Sequence, residues 1–369
     1  MIRRSLVSSV LAVLLGACAE EPAPVAPPPP PPPVPVASVA PPADTTPPPP
    51  PEPTPEEKKK ADDAARLQAA RAKWEDDNKA EIARWTPEMH AAAKALADRA
   101  YSTGKQGVEA AMKGTHRVPG AADRDKYRHP AETMAFFGLK PTTTVLDIGP
   151  GEGWYTELLA PTLARQGKYI ATTPDPMGPI DSPSTFGGQR FAAFLGKAPE
   201  LYGDVKTVIL DNKAPKLDLD GKLDMVLSVR EMHNWVRGST LDTWLAEIQR
   251  SLKPGGIFAV IDHRAAPDAD PKESATKGYL PEKWVIATVE AAGFKLAGKS
   301  EINANPKDTK DYEKGVWTLP PSFALKDQDH EKYAAIGESD RMTLKFVKVA
   351  PKAAAAPAKA QAPSAPATK

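Results

Sequence analysis

A short segment that joins a strand, three glycines and a helix constrains the fold of this chain most. Residues 144–148 form a largely apolar run, Gly149, Gly151 and Gly153 follow, and residues 155–164 have the pattern of a helix. Because glycine has no Cβ atom, a strand that ends in glycines lets the backbone approach a ligand closely at the carboxyl edge of a sheet. The segment therefore predicts a ligand-binding turn after a buried strand.

Short apolar runs alternate with amphipathic segments after this turn. Strands that alternate with helices are typical of a doubly wound parallel sheet with helices on both faces. We therefore predict an α/β, Rossmann-like domain over residues 120–350. Its further strands are predicted at 169–173, 205–211, 223–229, 257–262, 295–303 and 341–349, and two of its helices at 241–252 and 281–292.

Proline and charge set limits on the rest of the chain. About half of the 42 prolines lie within residues 19–55, and such a segment is typical of an extended, disordered polyproline II spacer. The tail, residues 351–369, is rich in Ala, Pro and Lys and predicts disorder. The 48 basic and 47 acidic residues are interspersed, so nucleic acid is not a predicted partner.

Residues 56–119 predict a helical segment between the spacer and the α/β domain. Charged residues and alanines dominate 56–84, which indicates a solvated helix with weak packing. Thr86 followed by Pro87 is typical of a helix start, with Thr86 as the N-cap, and the new helix is expected to run to about Tyr101.

The single cysteine, Cys18, lies at the end of a leader. Two arginines, the apolar run 6–15 and small residues before Cys18 are typical of a secretory signal. The apolar run is too short to span a membrane, and one cysteine allows no intramolecular disulfide. The sequence Leu-Gly-Ala-Cys resembles the lipobox of bacterial lipoproteins, in which the thiol carries a diacylglycerol. An ordinary cleaved signal with a chance cysteine is the alternative.

The lipobox resemblance implies a signal peptide over residues 1–18 and a lipid-anchored protein of the cell envelope. Ala19, rather than an aspartate, follows the cysteine. By resemblance to Gram-negative sorting, this favours the outer membrane, with the protein facing the periplasm.

The spacing of the glycines distinguishes two kinds of nucleotide site. A dinucleotide-binding loop requires Gly-x-Gly-x-x-Gly, but Trp154 occupies the third glycine position and the spacing here is Gly-x-Gly-x-Gly. Asp147 also lies two residues before Gly149. Both details resemble motif I of the class I S-adenosylmethionine-dependent methyltransferases. This resemblance covers roughly residues 140–350 and implies a seven-stranded sheet with S-adenosylmethionine as cofactor.

The same resemblance implies a set of cofactor-binding residues. Such enzymes often hold the adenine amino group at the end of the third strand, where Asp211 lies. Their second strand usually ends in an acid that binds the ribose, but the nearest acid here is Asp175, beyond Thr173. The implied set is Asp147, Gly149, Pro150, Gly151, Gly153, Trp154, Tyr155, Asp175, Asp211 and Arg230.

The chain also resembles a narrower group of bacterial predicted methyltransferases of undetermined substrate. The resemblance implies no acceptor. It is carried by residues 128–133, 136–138, 153–157, 233–235, 262–264 and 300–306.

Polar residues at the ends of the fourth and fifth strands are the candidate catalytic groups. Methyl transfer is an in-line displacement, so positioning supplies most of the acceleration and a base is needed only for a protic acceptor. His233 or His263 could be that base, or each could be a hydrogen-bonded structural histidine. The candidates are His233, Asn234, Asp262, His263 and Arg264.

A metal site that adds His129 to His233, Asp262 and His263 has no tight ligand spacing, and no metal is predicted. Residues 303–341 form a long polar loop with Trp317 inside it. It predicts either a lid over the substrate or an ordinary surface crossover.

Two functions remain open from the sequence. The first is methyl transfer to an unidentified small-molecule or cell-envelope acceptor by a membrane-anchored lipoprotein. The alternative is a methyltransferase-like lipoprotein that binds or scaffolds without turnover. The alternative arises because the leader predicts export, whereas S-adenosylmethionine is made in the cytoplasm. The sequence predicts no oligomeric state.

Overall fold

A computed structural model describes residue 29, residues 52–211 and residues 213–349. The described chain from Thr54 onward belongs to one compact unit. Cys18 with its leader, nearly all of the proline-rich spacer and the tail lie outside the described residues. Within the described ranges, no helix combines the length and the apolar character needed to cross a membrane.

A seven-stranded sheet forms the centre of this unit, in the order β3-β2-β1-β4-β5-β7-β6. β1 to β5 pair in parallel, and β7 runs antiparallel to both β5 and β6. The predicted doubly wound α/β fold is confirmed. The strands are β1 Thr144–Ile148, β2 Lys168–Thr173, β3 Lys206–Ile209, β4 Leu223–Val229, β5 Leu252–His263, β6 Phe294–Ser300 and β7 Arg341–Lys348.

Helices precede the sheet and then cover both of its faces. Short 3-10 helices occur at Ala121–Arg124 and Gly315–Thr318. The α-helices are α1 Pro55–Arg84, α2 Pro87–Asp98, α3 Gly104–Met112, α4 Asp125–Arg128, α5 Pro130–Phe137, α6 Thr156–Leu163, α7 Pro183–Gly196, α8 Pro199–Tyr202, α9 Met232–Arg237, α10 Leu241–Ser251, α11 Pro271–Thr276, α12 Glu282–Ala291 and α13 His330–Ile336.

Local capping chemistry sets the start of the first two helices. The Thr54 hydroxyl and the Glu57 carboxylate form a reciprocal capping box at α1. Thr86 accepts a hydrogen bond from the backbone of Met89, and Pro87 opens α2, as predicted. α1 contains no buried residue, which confirms the solvated helix. Its contacts with the rest of the unit include Trp74, whose ring meets Phe186 edge-on, and Arg71, which donates to Gln189 at 2.8 Å.

Two apolar layers enclose the sheet because successive side chains of a strand point to opposite faces. Val145 enters the layer that also holds α2, α3 and α6. Its neighbour Leu146 enters the layer that holds α10 and α12. Ala93 of α2 and Val108 of α3 are buried in the first layer together with Leu158. α2 and α3 therefore share a core with the α/β domain.

Two strand boundaries differ from their predictions for identifiable reasons. β5 begins at Leu252 instead of 257, because Leu252 pairs with Leu223 of β4 before a register shift that leads to Ile257 and Met225. β6 ends at Ser300 instead of Asn303. The buried Asn303 amide donates to the hydroxyls of Thr133 (3.1 Å) and Thr343 (3.0 Å), and it ties the following turn to α5 and β7.

Candidate functional site

The glycine turn after β1 has all three of its glycines in the left-handed region, with φ values of 66° at Gly149, 60° at Gly151 and 84° at Gly153. A Cβ atom on Gly153 would lie 2.7 Å from the ring of Phe194, and one on Gly149 would lie 2.8 Å from the Glu231 carboxyl group. No heavy atom of the described chain lies within 4 Å of a Cβ built on Gly151. Gly149 and Gly153 thus permit close packing, whereas Gly151 leaves the loop accessible to a ligand.

Two adjoining cavities lie at the carboxyl edge of the sheet. The smaller, about 260 Å³, lies beside β1 and β2, and the larger, about 420 Å³, lies over β4 and β5. Both are lined by residues 149–152 and by Glu231. Small-molecule sites have volumes of roughly 300–1,000 Å³. The smaller cavity also contacts Thr172, Thr173, Pro174, Arg190 and Phe191; the larger also contacts Arg124, Arg230, His233, Asn234, Arg237, His263, Trp317, Glu338 and Ser339.

His233 and Asp262 form a buried pair at the wall of the larger cavity. His233 lies in the first turn of α9, directly after β4, and its Nδ1 is 2.9 Å from Oδ1 of Asp262 at the end of β5. Asp262 is fully buried and also accepts the backbone N–H groups of His233 and His263, at 3.2 and 2.8 Å. A carboxylate only accepts, so Nδ1 carries the hydrogen and Nε2 is the nitrogen able to take a proton.

His263 differs from His233 in its surroundings. Its Nδ1 lies 2.5 Å from the hydroxyl of Ser339. Burial, together with the nearby charges of His233, Arg230 and Arg341, lowers the pKa of His263 well below its ordinary value. The ring is therefore neutral, and its role is that of a hydrogen-bonded wall residue.

Glu231 separates the two cavities. Burial raises the pKa of its carboxyl group to about 8, although a hydrogen bond from Asn234 acts in the opposite direction. The Asn234 amide oxygen in turn accepts a hydrogen bond of 2.9 Å from Arg237. At neutral pH, Glu231 is therefore mostly protonated and can donate a hydrogen bond to a ligand in either cavity.

A group of arginines surrounds Glu338 at the side of the larger cavity. Its carboxylate accepts from Nε of Arg124 (2.8 Å), from Nε of Arg128 (3.0 Å) and from Arg341. Arg230 lies beside them at the end of β4, with a strained φ of 62° and its backbone N–H bonded to Ile261 at 2.7 Å. Strained non-glycine residues cluster at functional sites.

Half of the predicted cofactor residues line the cavities. Gly149, Pro150 and Gly151 contact both cavities, and Trp154 and Arg230 contact the larger one. Of the rest, Gly153 packs on Phe194. The buried Tyr155 adjoins a separate, minor space beside Arg128 and Arg341.

The three predicted acidic cofactor residues lie away from both cavities. Asp147 is in the core and accepts a hydrogen bond of 2.6 Å from the Tyr169 hydroxyl, and burial raises its pKa to about 7. Asp175 and Asp211 are exposed. Each caps its own turn, with Asp175 accepting from the backbone of Met177 and Asp211 from that of Lys213. The second strand therefore brings hydroxyl groups, and no carboxylate, to the smaller cavity.

Of the catalytic candidates, His233, Asn234 and His263 line the larger cavity, and Asp262 supports His233. Arg264 does not line it. It follows the end of β5 at His263, and its guanidinium group forms ion pairs with Glu282 (2.9 Å), Glu301 (2.6 Å) and Asp340 (3.0 Å). The structure places Arg264 outside the cavity, where it joins segments of the fold.

The long loop before β7 contributes a wall to the larger cavity. Trp317 lines it and meets the His233 ring edge-on, with the ring centroids 6.2 Å apart. Phe323 instead stacks on His330 at 4.1 Å. Asn305 donates to the backbones of Ile336 and Glu338 and thereby closes the loop on itself. The segment around Trp317 and the loop end at Glu338 and Ser339 therefore line the larger cavity.

Several cavity residues escaped the sequence analysis. Arg124 and Glu338 are paired across 214 positions of the chain, and no local pattern joins two residues so far apart. Ser339 lies near the end of the long polar loop, and only the structure brings its hydroxyl to His263. Thr172 accepts a hydrogen bond from the backbone N–H of Gly149 at 2.9 Å. It was not a candidate, because the family resemblance implies an acid, and not a threonine, near the end of the second strand.

The structure also brings together three of the four residues considered for a metal. His233, Asp262 and His263 each offer a ligand atom, and these atoms lie within 4.8 Å of one another. His129 is not in this group. Nδ1 of His233 and Oδ1 of Asp262 are already bonded to each other, and Arg230 beside the histidines opposes a cation. A site without metal stays the prediction.

The sheet order, the antiparallel seventh strand and the glycine turn define a methyltransferase-like fold. No protein-family model matches the chain, and neither does any curated protein.

Among solved structures, the chain is similar to a SAM-dependent methyltransferase from Aquifex aeolicus, at 20% identity over 62% of this chain and 93% of that one, with a TM-score of 0.41. The 1,6-didemethyltoxoflavin-N1-methyltransferase of Burkholderia thailandensis is 16% identical over 82% of this chain and 93% of its own, at 0.38. A third is an S-adenosylmethionine-dependent methyltransferase from Mesorhizobium loti. It is 14% identical over 56% of this chain and 91% of its own, with a TM-score of 0.35. Likenesses of this strength carry no argument about the site.

Proposed function

We propose that this chain is an S-adenosylmethionine-dependent methyltransferase that acts on a protic acceptor. The observation that carries the proposal is the pair of adjoining cavities at the carboxyl edge of the sheet. They share the glycine turn and Glu231, and the larger one has the His233–Asp262 pair at its wall. One cavity suits a methyl donor, and the other places a base beside a second ligand.

The smaller cavity fits the donor through its backbone more than through charged side chains. The open position at Gly151 lets a ligand approach the turn closely. Phe191 offers a flat apolar face, and Arg190 and Thr173 offer polar groups at the same cavity. S-adenosylmethionine, when bound, supplies a methyl group on a sulfonium. Its ribose would be held by hydroxyl and backbone groups, since the second strand supplies no carboxylate.

The larger cavity would orient the acceptor and remove its proton. Asp262 holds the imidazole of His233 by Nδ1, so Nε2 can take the proton from the attacking atom as the new bond to carbon forms. Trp317 covers the histidine from the loop side and limits the access of water. Glu231, protonated at neutral pH, is a hydrogen-bond donor at the boundary between the two ligands.

Calorimetry of the full chain with S-adenosylmethionine and S-adenosylhomocysteine tests the donor site. We expect both to bind, and we expect Gly151→Ala to weaken binding about tenfold or more. Arg165→Gln is the control, because Arg165 is exposed and bonded to the backbone of Asp98. The absence of binding of either compound at millimolar concentration would refute the proposed methyltransferase activity. It would favour the alternative of a binding or scaffolding role, with which the lack of a ribose carboxylate agrees.

Transfer of a labelled methyl group tests the base. The full chain is incubated with labelled S-adenosylmethionine and either a small-molecule extract or a cell-envelope extract, and incorporation is followed in each. His233→Asn should abolish most of the incorporation while leaving the affinity for S-adenosylhomocysteine unchanged. Equal incorporation by His233→Asn and the parent chain would remove His233 from the mechanism.

We also propose that a lipid on Cys18 anchors the chain in the cell envelope, with the folded unit on the periplasmic side of the outer membrane. The support is the leader and its resemblance to a lipobox; Cys18 lies outside the described residues. A Cys18→Ser chain should fail to incorporate labelled palmitate and should leave the membrane fraction. A variant that stays in the membrane fraction without the label would contradict the anchor.

A further inference from the structure

One wall of the larger cavity has an excess of positive charge. Arg124, Arg128 and Arg341 all donate to the one carboxylate of Glu338. Arg230 adds a fourth guanidinium group. Four cations therefore face one anion in a place where water screens charge poorly.

The remaining acids near the cavity do not neutralise this charge. Glu231 is mostly protonated at neutral pH because burial raises its pKa to about 8. Glu152 is paired with Arg190 on the side of the smaller cavity. Asp262 accepts from His233 and from two backbone N–H groups, so it pairs with none of the four arginines. Arg237, at the cavity wall, adds a further positive charge.

The arginines also retain donors that the protein does not use. Arg128 and Arg341 are each only 3% exposed. Among the described residues, no hydrogen-bond partner is found for four buried nitrogens: Arg124 Nη2, Arg128 Nη2, Arg230 Nε and Arg341 Nε. A buried donor without a partner destabilises the folded chain. An oxyanion that reached even one or two of these groups would remove that cost and would offset the charge.

The backbone of Arg230 supports a role in binding. Its φ of 62° lies in the left-handed region, which a non-glycine residue seldom adopts. The hydrogen bond from its N–H to Ile261 holds this conformation at the end of β4, so that its side chain lines the larger cavity three residues before His233.

We propose that the larger cavity binds an oxyanionic group of the acceptor, a carboxylate or a phosphate, through Arg124 and Arg230. The bound group lies in the same cavity as His233, and this arrangement selects anionic acceptors. The oxyanion would define the substrate class of the proposed methyl transfer, and it depends on that function only in being called the methyl acceptor. Oxyanion binding itself can be measured without methyl transfer.

Direct binding of inorganic phosphate and of acetate to the full chain tests the proposal, by calorimetry with and without S-adenosylhomocysteine. We expect at least one of the two probes to bind and to remain bound in the presence of S-adenosylhomocysteine. Whichever of the two binds more tightly indicates whether the acceptor carries a phosphate or a carboxylate.

Arg230→Gln and Arg124→Gln should each weaken the binding of the probe at least tenfold. Arg124 is the milder change because its side chain is 25% exposed, and circular dichroism checks that both variants fold. Arg165→Gln removes the same charge elsewhere on the surface and should bind like the parent chain.

Failure of both probes to bind, or an equal loss in Arg165→Gln, would overturn the oxyanion site. Phosphate or acetate binding by a chain that fails to bind S-adenosylhomocysteine would instead refute the methyltransferase and leave the oxyanion site intact.

Discussion

The addition of one methyl group should affect mainly the stability at one glycine of the turn and mainly the ligand affinity at another. Gly151→Ala and Gly153→Ala both place an alanine in the left-handed region, which costs roughly 1–2 kcal/mol. Alanine also restricts the unfolded chain and so returns about 0.4–1 kcal/mol. The backbone contribution to the free energy of unfolding is therefore about the same at both positions, on the order of 1 kcal/mol.

Packing distinguishes the two positions. The new Cβ atom at Gly153 would lie 2.7 Å from two carbons of the Phe194 ring. That ring is held by Phe191 at 6.1 Å, by Tyr202 at 4.9 Å and by the ammonium group of Lys197 at 4.2 Å, so it has little room to retreat. Overpacking costs about 1–3 kcal/mol more. At Gly151 the new methyl group meets no described atom within 4 Å.

We expect Gly153→Ala to lose about 2–4 kcal/mol of unfolding free energy and Gly151→Ala to lose about 1 kcal/mol or less. Urea unfolding followed by tryptophan fluorescence measures both. In calorimetry we expect Gly151→Ala to be the more affected variant. Its methyl group occupies the path by which the ligand approaches the turn, and it weakens S-adenosylhomocysteine binding about tenfold, or roughly 1.4 kcal/mol.

Gly196→Ala is the matched control, since Gly196 ends α7 with no atom near its Cβ position. It should stabilise the chain by up to about 1 kcal/mol. The reasoning is refuted if Gly151→Ala destabilises as much as Gly153→Ala, or if Gly153→Ala leaves the unfolding midpoint unchanged.

Three further outcomes follow from the site. Burial raises the pKa of Glu231 from 4.5 to about 8. Between these pH values the native chain retains a proton that the unfolded chain has lost, so the contribution of Glu231 to stability should fall as the pH rises. The fall is at most about 1.4 kcal/mol per pH unit. Glu231→Gln should flatten this slope in urea titrations, and an unchanged slope would contradict the assignment. Asp262→Asn should slow single-turnover methyl transfer about a hundredfold or more, because it no longer fixes the His233 tautomer; a rate like that of the parent chain would exclude the pair as the base. Arg264→Met should lower the unfolding free energy by about 1–3 kcal/mol, since Asp340 loses a partner in a partly buried place. It should leave S-adenosylhomocysteine binding unchanged. Weakened binding with unchanged stability would show that Arg264 belongs to the binding site.

The sequence predicted the elements of the fold well because their signals are local. β4 begins and ends where the apolar run 223–229 does, and Thr86 with Pro87 opens α2 as expected. Boundaries were missed where pairing with a neighbour decided them, as at Leu252, which stays in the sheet through its register with Leu223. Such pairing partners are distant in sequence, so no window of residues contains the information.

The order of strands along the chain predicted which edge of the sheet holds the cavities. It did not predict the direction in which each side chain points. His233 and His263 follow strands that end at the cavity, and they line it. Asp147 and Arg264 also lie near strand ends. The first, however, is bonded to Tyr169 inside the core, and the second is paired with Asp340 outside the cavity. Whether a residue at a strand end meets the ligand depends on its face and on what packs against it.

By itself, the sequence determined that this chain forms a doubly wound sheet with a glycine turn at Gly149 to Gly153, because periodicity and glycine spacing act over neighbouring residues. Only the tertiary structure decided that Gly153 serves packing and Gly151 serves access, that Asp262 orients His233, and that Arg124 meets Glu338 across 214 positions. These are contacts between segments that adjoin only after folding, and the electrostatics of the larger cavity depend on them.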